Sequence, residues 1–539
     1  MSSAATLTFD AAISRIGTGW FHYKLVALCG WANASDAIEM LGISFIITTL
    51  AECDLDLTEA RKGMVTAGLF IGMMLGGWLW GSLADKLGRK YTLILALLFN
   101  SLFGFSSSLA TSYHSFLFFR IMSGLGVGGS IPIVFTYTTE FLPTKQRGLY
   151  LSIVAAFWMV GTILVAGMAW GIIGAHECSH ANMPSSILLR CEEWDNSGCG
   201  YFATSTGGRL PAWRLFVGLC SLPSLLAAVS IAFLPESPKW LATVGRIRQA
   251  ERILERIAKA NSSSRRGYSA VHDDDAKFSL SSTDTHEATP PQHHQPQPSS
   301  SSPSPSSSSS PASPLALSIS EERTQRHTMP WPMRILSSVR NVFESTARLF
   351  RGPSLRPTLV LGGIWFFLSM GFYGLTLWLP NYFQHGAIDA STSVYKVSFW
   401  VALANIPGNA FAFWGVDWLG RRKTLLISML ASAASVFSIL KIHSTAGTTA
   451  FSCVFSGVSV AGWNALNILS AELYTTRQRG AAFGLLAATG RIGAIVGNMA
   501  FGAMSASSPT LPLMLTGAAL AFGACMSLLV PETRNISIE

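Results

Sequence analysis

Charge is scarce in this chain. Only 12% of its 539 residues are Asp, Glu, Lys or Arg, about half the share of a soluble protein. Hydrophobic residues reach 49% and the mean hydropathy is +0.38, which excludes an ordinary soluble domain. A Walker loop is missing, so ATP does not drive the protein directly. The run Gly124-Leu-Gly-Val-Gly-Gly129 lies inside an apolar stretch. It is not a strand-to-helix turn, and a dinucleotide fingerprint is therefore excluded. No Cys or His spacing suits a metal, and the serine-rich tract offers no activated nucleophile. The sequence therefore reads as a non-enzyme, without a cofactor beyond a coupling proton or cation. Residues 1–23 lack an apolar core followed by a small-residue cleavage site, so no cleavable signal peptide is expected.

Apolar length is what the chain has. Runs of about 20 residues, enough to cross a bilayer as helices, recur at 25–50, 63–83, 91–110, 115–139, 149–175, 213–234, 357–383, 395–416, 424–440, 447–471, 481–504 and 510–530. Twelve spans place both termini on one side. The net charge of +9 does not point to nucleic acid, because it is distributed by position. Four short turns on the terminal side hold Lys86, Arg89, Lys90, Lys145, Arg147, Arg421, Arg422, Lys423, Arg477 and Arg479. Arg61 and Lys62 are among the few cations on the other side, where they read as loop residues. This bias predicts cytoplasmic termini.

Cys53, Cys178, Cys191 and Cys199 fall in the opposite, outer loops. Four thiols on an oxidising side allow two disulfides in three pairings, which stay open here.

The turns repeat. GSLADKLGRK (81–90) matches GVDWLGRRK (415–423), and TEFLPTKQRG (139–148) matches AELYTTRQRG (471–480). Asp85 pairs with Asp417, Gly88 with Gly420, Arg89 with Arg421, Glu140 with Glu472 and Arg147 with Arg479. Every pair is 332 residues apart. PESPK (235–239) and PETRN (531–535) close the two repeats. Two motifs sharing one offset indicate duplication into two six-helix halves. The expected layout is a cytoplasmic tail (1–23), an N-terminal half (24–234), a linker (235–355), a C-terminal half (356–530) and a short tail (531–539). Within the linker, 245–259 and 334–351 pattern as basic amphipathic helices. The Pro/Ser-rich segment 289–314 cannot bury a core. The linker is a solvated connector on one reading. On the other it is a phosphorylated regulatory segment that meets cytoplasmic protein partners.

The doubled D-x-x-G-R-R/K turn resembles the signature of the major facilitator superfamily. Arg120, Gly124 and Gly128 add its R-x-x-x-G-x-x-x-G pattern, and PESPK resembles its sugar and organic-ion branches. The stretches GVGGSIPIVFTYTTEFLP (126–143), AAFWMVGTILVAGMAWGII (155–173), FYGLTLWLP (372–380) and GVSVAGWNALNILSAELY (457–474) resemble the synaptic vesicle glycoprotein 2 family and its related protein. The resemblance implies an all-α membrane protein of twelve helices in two pseudo-symmetric halves. It departs in three places, one being that no N-x-S/T sequon falls in an outer loop. The loop between spans seven and eight is only about 384–394, where that family carries a large luminal domain. Asn467 stands where the glycoprotein has an acidic residue.

Two functional readings follow. One is a secondary or facilitative transporter of a small organic solute, working by alternating access. The other is a transporter-fold regulator of membrane or vesicle traffic. The resemblance implies a plasma-membrane or synaptic-type vesicle location. The binding candidates lie deep in the spans. Asp36 and Glu39 sit one turn apart on one helical face, where lipid exposure would be costly. Arg120 and Arg491 are the intramembrane cations, and a pair of Asp36 or Glu39 with Arg120 is expected. Phe135, Trp158, Trp365, Tyr373, Trp463 and Asn467 are the polar and aromatic candidates. Trp378, near the outer end of span seven, reads as an interfacial anchor. Asp85, Gly88, Arg89, Glu140 and Arg147, with Asp417, Gly420, Arg421, Glu472 and Arg479, are the gating candidates.

Overall fold

The computed structural model describes residues 9–50, 57–174, 201–203, 209–265, 346–384, 392–442 and 444–533, together with Leu55, Glu344 and Ile388. Cys53, Cys178, Cys191 and Cys199 lie outside the described residues, as do the Pro/Ser-rich tract and most of 334–351.

The N-terminal half contains α1 (Phe9–Ile16), α2 (Trp20–Leu50), α3 (Glu59–Leu87), α4 (Arg89–Ser108), α5 (Tyr113–Thr139), α6 (Arg147–Ile172) and α7 (Ala212–Ala232). A short antiparallel ribbon, β1 (Tyr201–Ala203) with β2 (Arg209–Pro211), precedes α7. Then come α8 (Pro238–Thr243) and α9 (Ile247–Arg265). The C-terminal half contains α10 (Leu355–Tyr382), α11 (Val394–Leu403), α12 (Asn405–Leu419), α13 (Arg421–Ile439), α14 (Thr445–Glu472), α15 (Thr476–Ser505) and α16 (Leu511–Ser527). Among the described residues, nine helices are long and apolar enough to cross a membrane. Three further spans complete the twelve. They are α2, which carries Asp36 and Glu39; the eighth, divided into α11 and α12; and α16, which has 17 residues. The division follows from Pro407. It has no N–H to give the carbonyl one turn back at Leu403, and the chain turns at Ala404.

Helix packing inside each half rests on small residues. A Cβ on Gly124 or Gly128 would strike the α3 carbonyls of Leu69 and Met73. The R-x-x-x-G-x-x-x-G pattern is therefore a stripe that lets α5 lie directly on α3. Gly88 and Gly420 have φ of 103° and 90°, which explains glycine in both repeated turns.

α9 bears out the amphipathic reading of 245–259. Ala250, Leu254 and Ile257 are buried, and Leu254 packs with Ala12 and Ile13 of α1. Arg248, Arg252, Arg256 and Lys259 stay exposed.

Three placements differ from the sequence reading. Arg61 and Lys62 are not loop residues but lie in the first turn of α3, and Lys62 turns inward. It is 1% exposed within α3. Trp378 is 2% exposed and packs on Phe501, with ring centroids 6.2 Å apart. Contact with α15 of the same half buries the outer end of α10, which residue position alone cannot reveal.

Candidate functional site

The two acids of α2 separate in role. Glu39 pairs with Arg120, Oε1 to Nη1 at 2.9 Å, and both side chains are almost fully buried. The Ser123 Oγ lies 2.8 Å from Glu39 Oε1 and 2.9 Å from Asn100 Oδ1, with one proton to share between them, and Asn100 donates to Ser224 at 2.9 Å. Arg120 also donates to the Gly104 carbonyl and to Ser107. Every member belongs to α2, α4, α5 or α7, so this network lies inside the N-terminal half.

Asp36 has a different setting. Its Oδ2 accepts from Ser130 at 2.7 Å, and its Oδ1 is buried with no hydrogen-bond partner among the described residues. The cation it feels is Arg491, from α15 of the other half. Arg491 also interacts with Tyr373, lies 5.9 Å from the Phe70 ring centroid, and reaches Met73. Asp36 and Arg491 thus lie within electrostatic reach of one another across the seam between the halves.

An aromatic cluster adjoins this seam. Trp463 meets Trp365 at 5.5 Å, Tyr373 at 5.7 Å and Phe372 at 5.8 Å between ring centroids. Phe70 of the N-terminal half meets Tyr373 at 5.1 Å. Trp365 is buried and anchored by Nε1 donating to Ser470 at 2.9 Å. Trp463 is half-buried, and its Nε1 has no partner among the described residues. Asn467, one turn further along α14, is half-buried. The structure therefore gathers Trp365, Tyr373, Trp463 and Arg491. Phe135 and Trp158 are half-buried on α5 and α6, outside the ring contacts of that cluster.

The repeated turns carry matching charge clusters. Arg89 pairs with Asp85 at 2.7 Å and Glu140 at 3.3 Å, and Arg421 pairs with Asp417 at 2.9 Å and Glu472 at 3.3 Å. Arg147 donates to the Leu142 carbonyl, while Nε and Nη2 of Arg479 have no hydrogen-bond partner among the described residues. A further acid completes each cluster. Glu236 accepts from the N–H groups of Arg89 (3.0 Å), Lys90 (3.1 Å) and Ser237 (2.8 Å), and Glu532 accepts from Arg421 (2.9 Å) and Arg422 (3.2 Å). Each acid caps the helix that begins at its arginine. The sequence offered PESPK and PETRN only as repeat ends. The Pro-Glu pair that both repeat ends share was the available signal for this role.

Burial raises the Glu236 carboxyl above its ordinary range, and its three N–H donors oppose that shift. With its folded pKa above the unfolded one, its contribution to stability is present at low pH. It is lost as pH rises through the folded value. Glu236→Gln should abolish this pH dependence and alter stability at neutral pH by less than about 1 kcal/mol. Glu236→Ala should cost about 2 kcal/mol by stranding buried donors. Thermal unfolding of the purified variants across pH 5–8 distinguishes them.

The face opposite the repeated turns is shut. Lys62 donates to Glu59 at 2.7 Å and across the halves to Asn381 at 2.9 Å. Asn381 in turn donates to Glu59 at 3.3 Å. Beside them α3 meets α15: a Cβ on Gly63 would lie 2.8 Å from the Asn498 carbonyl oxygen and 3.0 Å from Gly502 Cα. Thr49 reaches the Tyr395 hydroxyl at 3.1 Å, and Trp170 meets Phe399 at 5.6 Å. At the face of the repeated turns, the ion pairs of Arg89 and Arg421 each stay within one half. The Lys62 clamp escaped the sequence reading because its partner lies 319 residues away.

Gly63→Trp should wedge this face open. Spin labels at Ala60 and Ala506, both exposed there, should move apart by several ångströms. An unchanged distance distribution would mean that the glycine contact is not what closes the face.

A sequence model described as "Sugar (and other) transporter" matches residues 16–279, and one described as "Major Facilitator Superfamily" matches 366–537. The chain belongs to the major facilitator superfamily. It is a multi-pass membrane protein with a transporter fold. It is 28% identical to synaptic vesicle glycoprotein 2B of Mus musculus, covering 98% of this chain and 86% of the relative. To synaptic vesicle glycoprotein 2A of Homo sapiens it is 27% identical, covering 98% and 79%. These alignments run over 639 and 641 positions, so the relatives carry residues this shorter facilitator lacks. Among solved structures, it superposes on the xylose transporter XylE from E. coli. The inward-open form gives a TM-score of 0.64 at 17% identity, covering 96% of this chain and 98% of that one. The partially occluded inward-open form gives 0.63, covering 96% and 99%.

Proposed function

We propose that this facilitator is a secondary transporter of a small organic solute, coupled to a proton or cation at Asp36. The observation that carries this reading is a buried carboxyl group of one half, singly hydrogen-bonded among the described residues, within electrostatic reach of a guanidinium of the other. An ionisable group in such a place is costly and usually functional. The two groups sit on separate halves, so rocking the halves changes their distance and the strength of their attraction. Protonating Asp36 weakens that attraction and lowers the cost of parting the halves. The solute would lie between Asp36, Arg491 and the aromatic cluster of Trp365, Tyr373 and Trp463. Aromatic faces suit a flat or cationic organic solute.

The density of short-turn cations at 86–90, 145–147, 421–423 and 477–479 supports a cytoplasmic position for the repeated turns. With the Lys62 face closed, the protein is then inward-facing. The likeness to synaptic vesicle glycoproteins supports a vesicle or plasma-membrane location.

Purified protein in proteoliposomes, tested against sugars, organic cations and organic anions with and without a pH gradient, checks the reading. Concentrative uptake of one class under the gradient is the expected result. A chain that neither binds nor moves any of them would be the traffic regulator instead.

A further inference from the structure

The molecule has a second built site, away from the seam. At the face of the repeated turns, α9 overhangs the ends of α3 and α4 and borders an open cavity of about 310 Å³. At about 30 Å³ per molecule, that is the volume of about ten waters. Leu87, Tyr91, Trp240, Leu241 and Ile253 form its apolar lining, and Arg246, Arg252 and Arg256 its cationic lining. Arg252 and Arg256 are one turn apart on α9, and Ile253 shares their face. All three arginines are exposed, and no carboxylate among the described residues pairs with them. Lys90 adds a fourth cation beside the cavity, 5.8 Å from the Tyr91 ring centroid.

One acid, Glu236, also lines the cavity. Its Oε1 is spent on three backbone N–H groups, and its Oε2 is buried against Gly88. The remaining charge of the cavity is therefore strongly positive. Leu87 is 45% and Tyr91 59% exposed. Both stand where spans end, so the apolar wall opens onto the bilayer boundary.

We infer that this cavity binds the phosphate-bearing headgroup of an anionic phospholipid, with Arg246, Arg252 and Arg256 on the phosphates and Leu87 and Tyr91 beside the acyl chains. Arginine forks suit phosphate oxygens, and basic pockets at span ends are the geometry that holds such headgroups. A soluble phosphate would use the arginines alone and leave the exposed apolar wall without a role. Bound lipid would tie α9, and with it the start of the linker, to the membrane. The leaflet is the cytoplasmic one if the repeated turns are cytoplasmic as proposed above. The binding itself depends neither on that orientation nor on transport.

The test uses the full chain in neutral detergent, titrated with dioctanoyl phosphatidylinositol 4,5-bisphosphate, dioctanoyl phosphatidylcholine and free inositol trisphosphate, with affinity read by thermophoresis. The inositol lipid should bind saturably, at least tenfold tighter than either comparator. The variant R246Q/R252Q/R256Q should lose at least tenfold in that affinity. R248Q/R351Q/K423Q removes the same charge elsewhere and should stay within twofold of the parent. Equal losses in the two triple variants would reduce the effect to diffuse charge and overturn the site. Phosphatidylcholine binding as tightly would overturn it as well. Free inositol trisphosphate matching the lipid would make this a soluble-anion site and overturn the lipid assignment. No saturable binding by the inositol lipid would likewise sink the inference.

Discussion

Asp36→Asn is expected to lower gradient-driven uptake by about 100-fold, the low end of what a positioned proton-transfer group contributes, while the protein stays folded. Asparagine has the same shape and keeps an oxygen to accept from Ser130. What it loses is the charge that Arg491 senses from the other half. Solute exchange without a gradient should survive better than uphill uptake, because exchange needs no change in the protonation of this residue. Uptake and exchange measured on the same proteoliposomes separate the two. If the Asn variant concentrates solute as well as the parent, Asp36 is not the coupling group. Arg491→Gln should weaken the same uptake and raise the concentration needed for half-maximal transport, since Arg491 also adjoins the aromatic cluster.

Breaking the other acid–base pair should act on the fold. Glu39→Ala or Arg120→Ala alone is expected to cost about 3–5 kcal/mol, the penalty for leaving a buried charge without its partner. The loss should appear as a lower melting temperature in detergent and a smaller yield of monodisperse protein. The double substitution E39M/R120M should recover most of it, because two apolar side chains of similar length leave no orphaned charge. Cheap single substitutions, below about 1 kcal/mol, would show that water reaches the pair. A double variant that is folded but inactive would move the pair from packing into the transport machinery. The two experiments together assign separate duties to acids that stand one helical turn apart.

That separation marks the limit of sequence reading here. Helical spacing placed Asp36 and Glu39 on one face of α2 and named Arg120 and Arg491 as cations. It left the pairing open. The answer depends on which neighbours the face meets along its length: α4 and α5 at Glu39, and Ser130 with the seam at Asp36. The gating residues were more legible. The turns repeat at a fixed offset, and local geometry, a positive-φ glycine followed by an arginine one turn from an aspartate, dictates most of their contacts. Glu236 and Glu532 join them from more than 100 residues away, and only folding reveals that.

Composition, span length and duplication were enough to determine a twelve-helix membrane protein in two related halves. Lipid demands long apolar helices, and the repeated turns record the duplication directly. The closed face, the Lys62–Glu59–Asn381 clamp and the burial of Trp378 were decided by the tertiary structure alone. Each joins residues more than 100 positions apart, the clamp across the two halves and Trp378 to α15 within its own, and no local periodicity encodes how distant helices lean on one another.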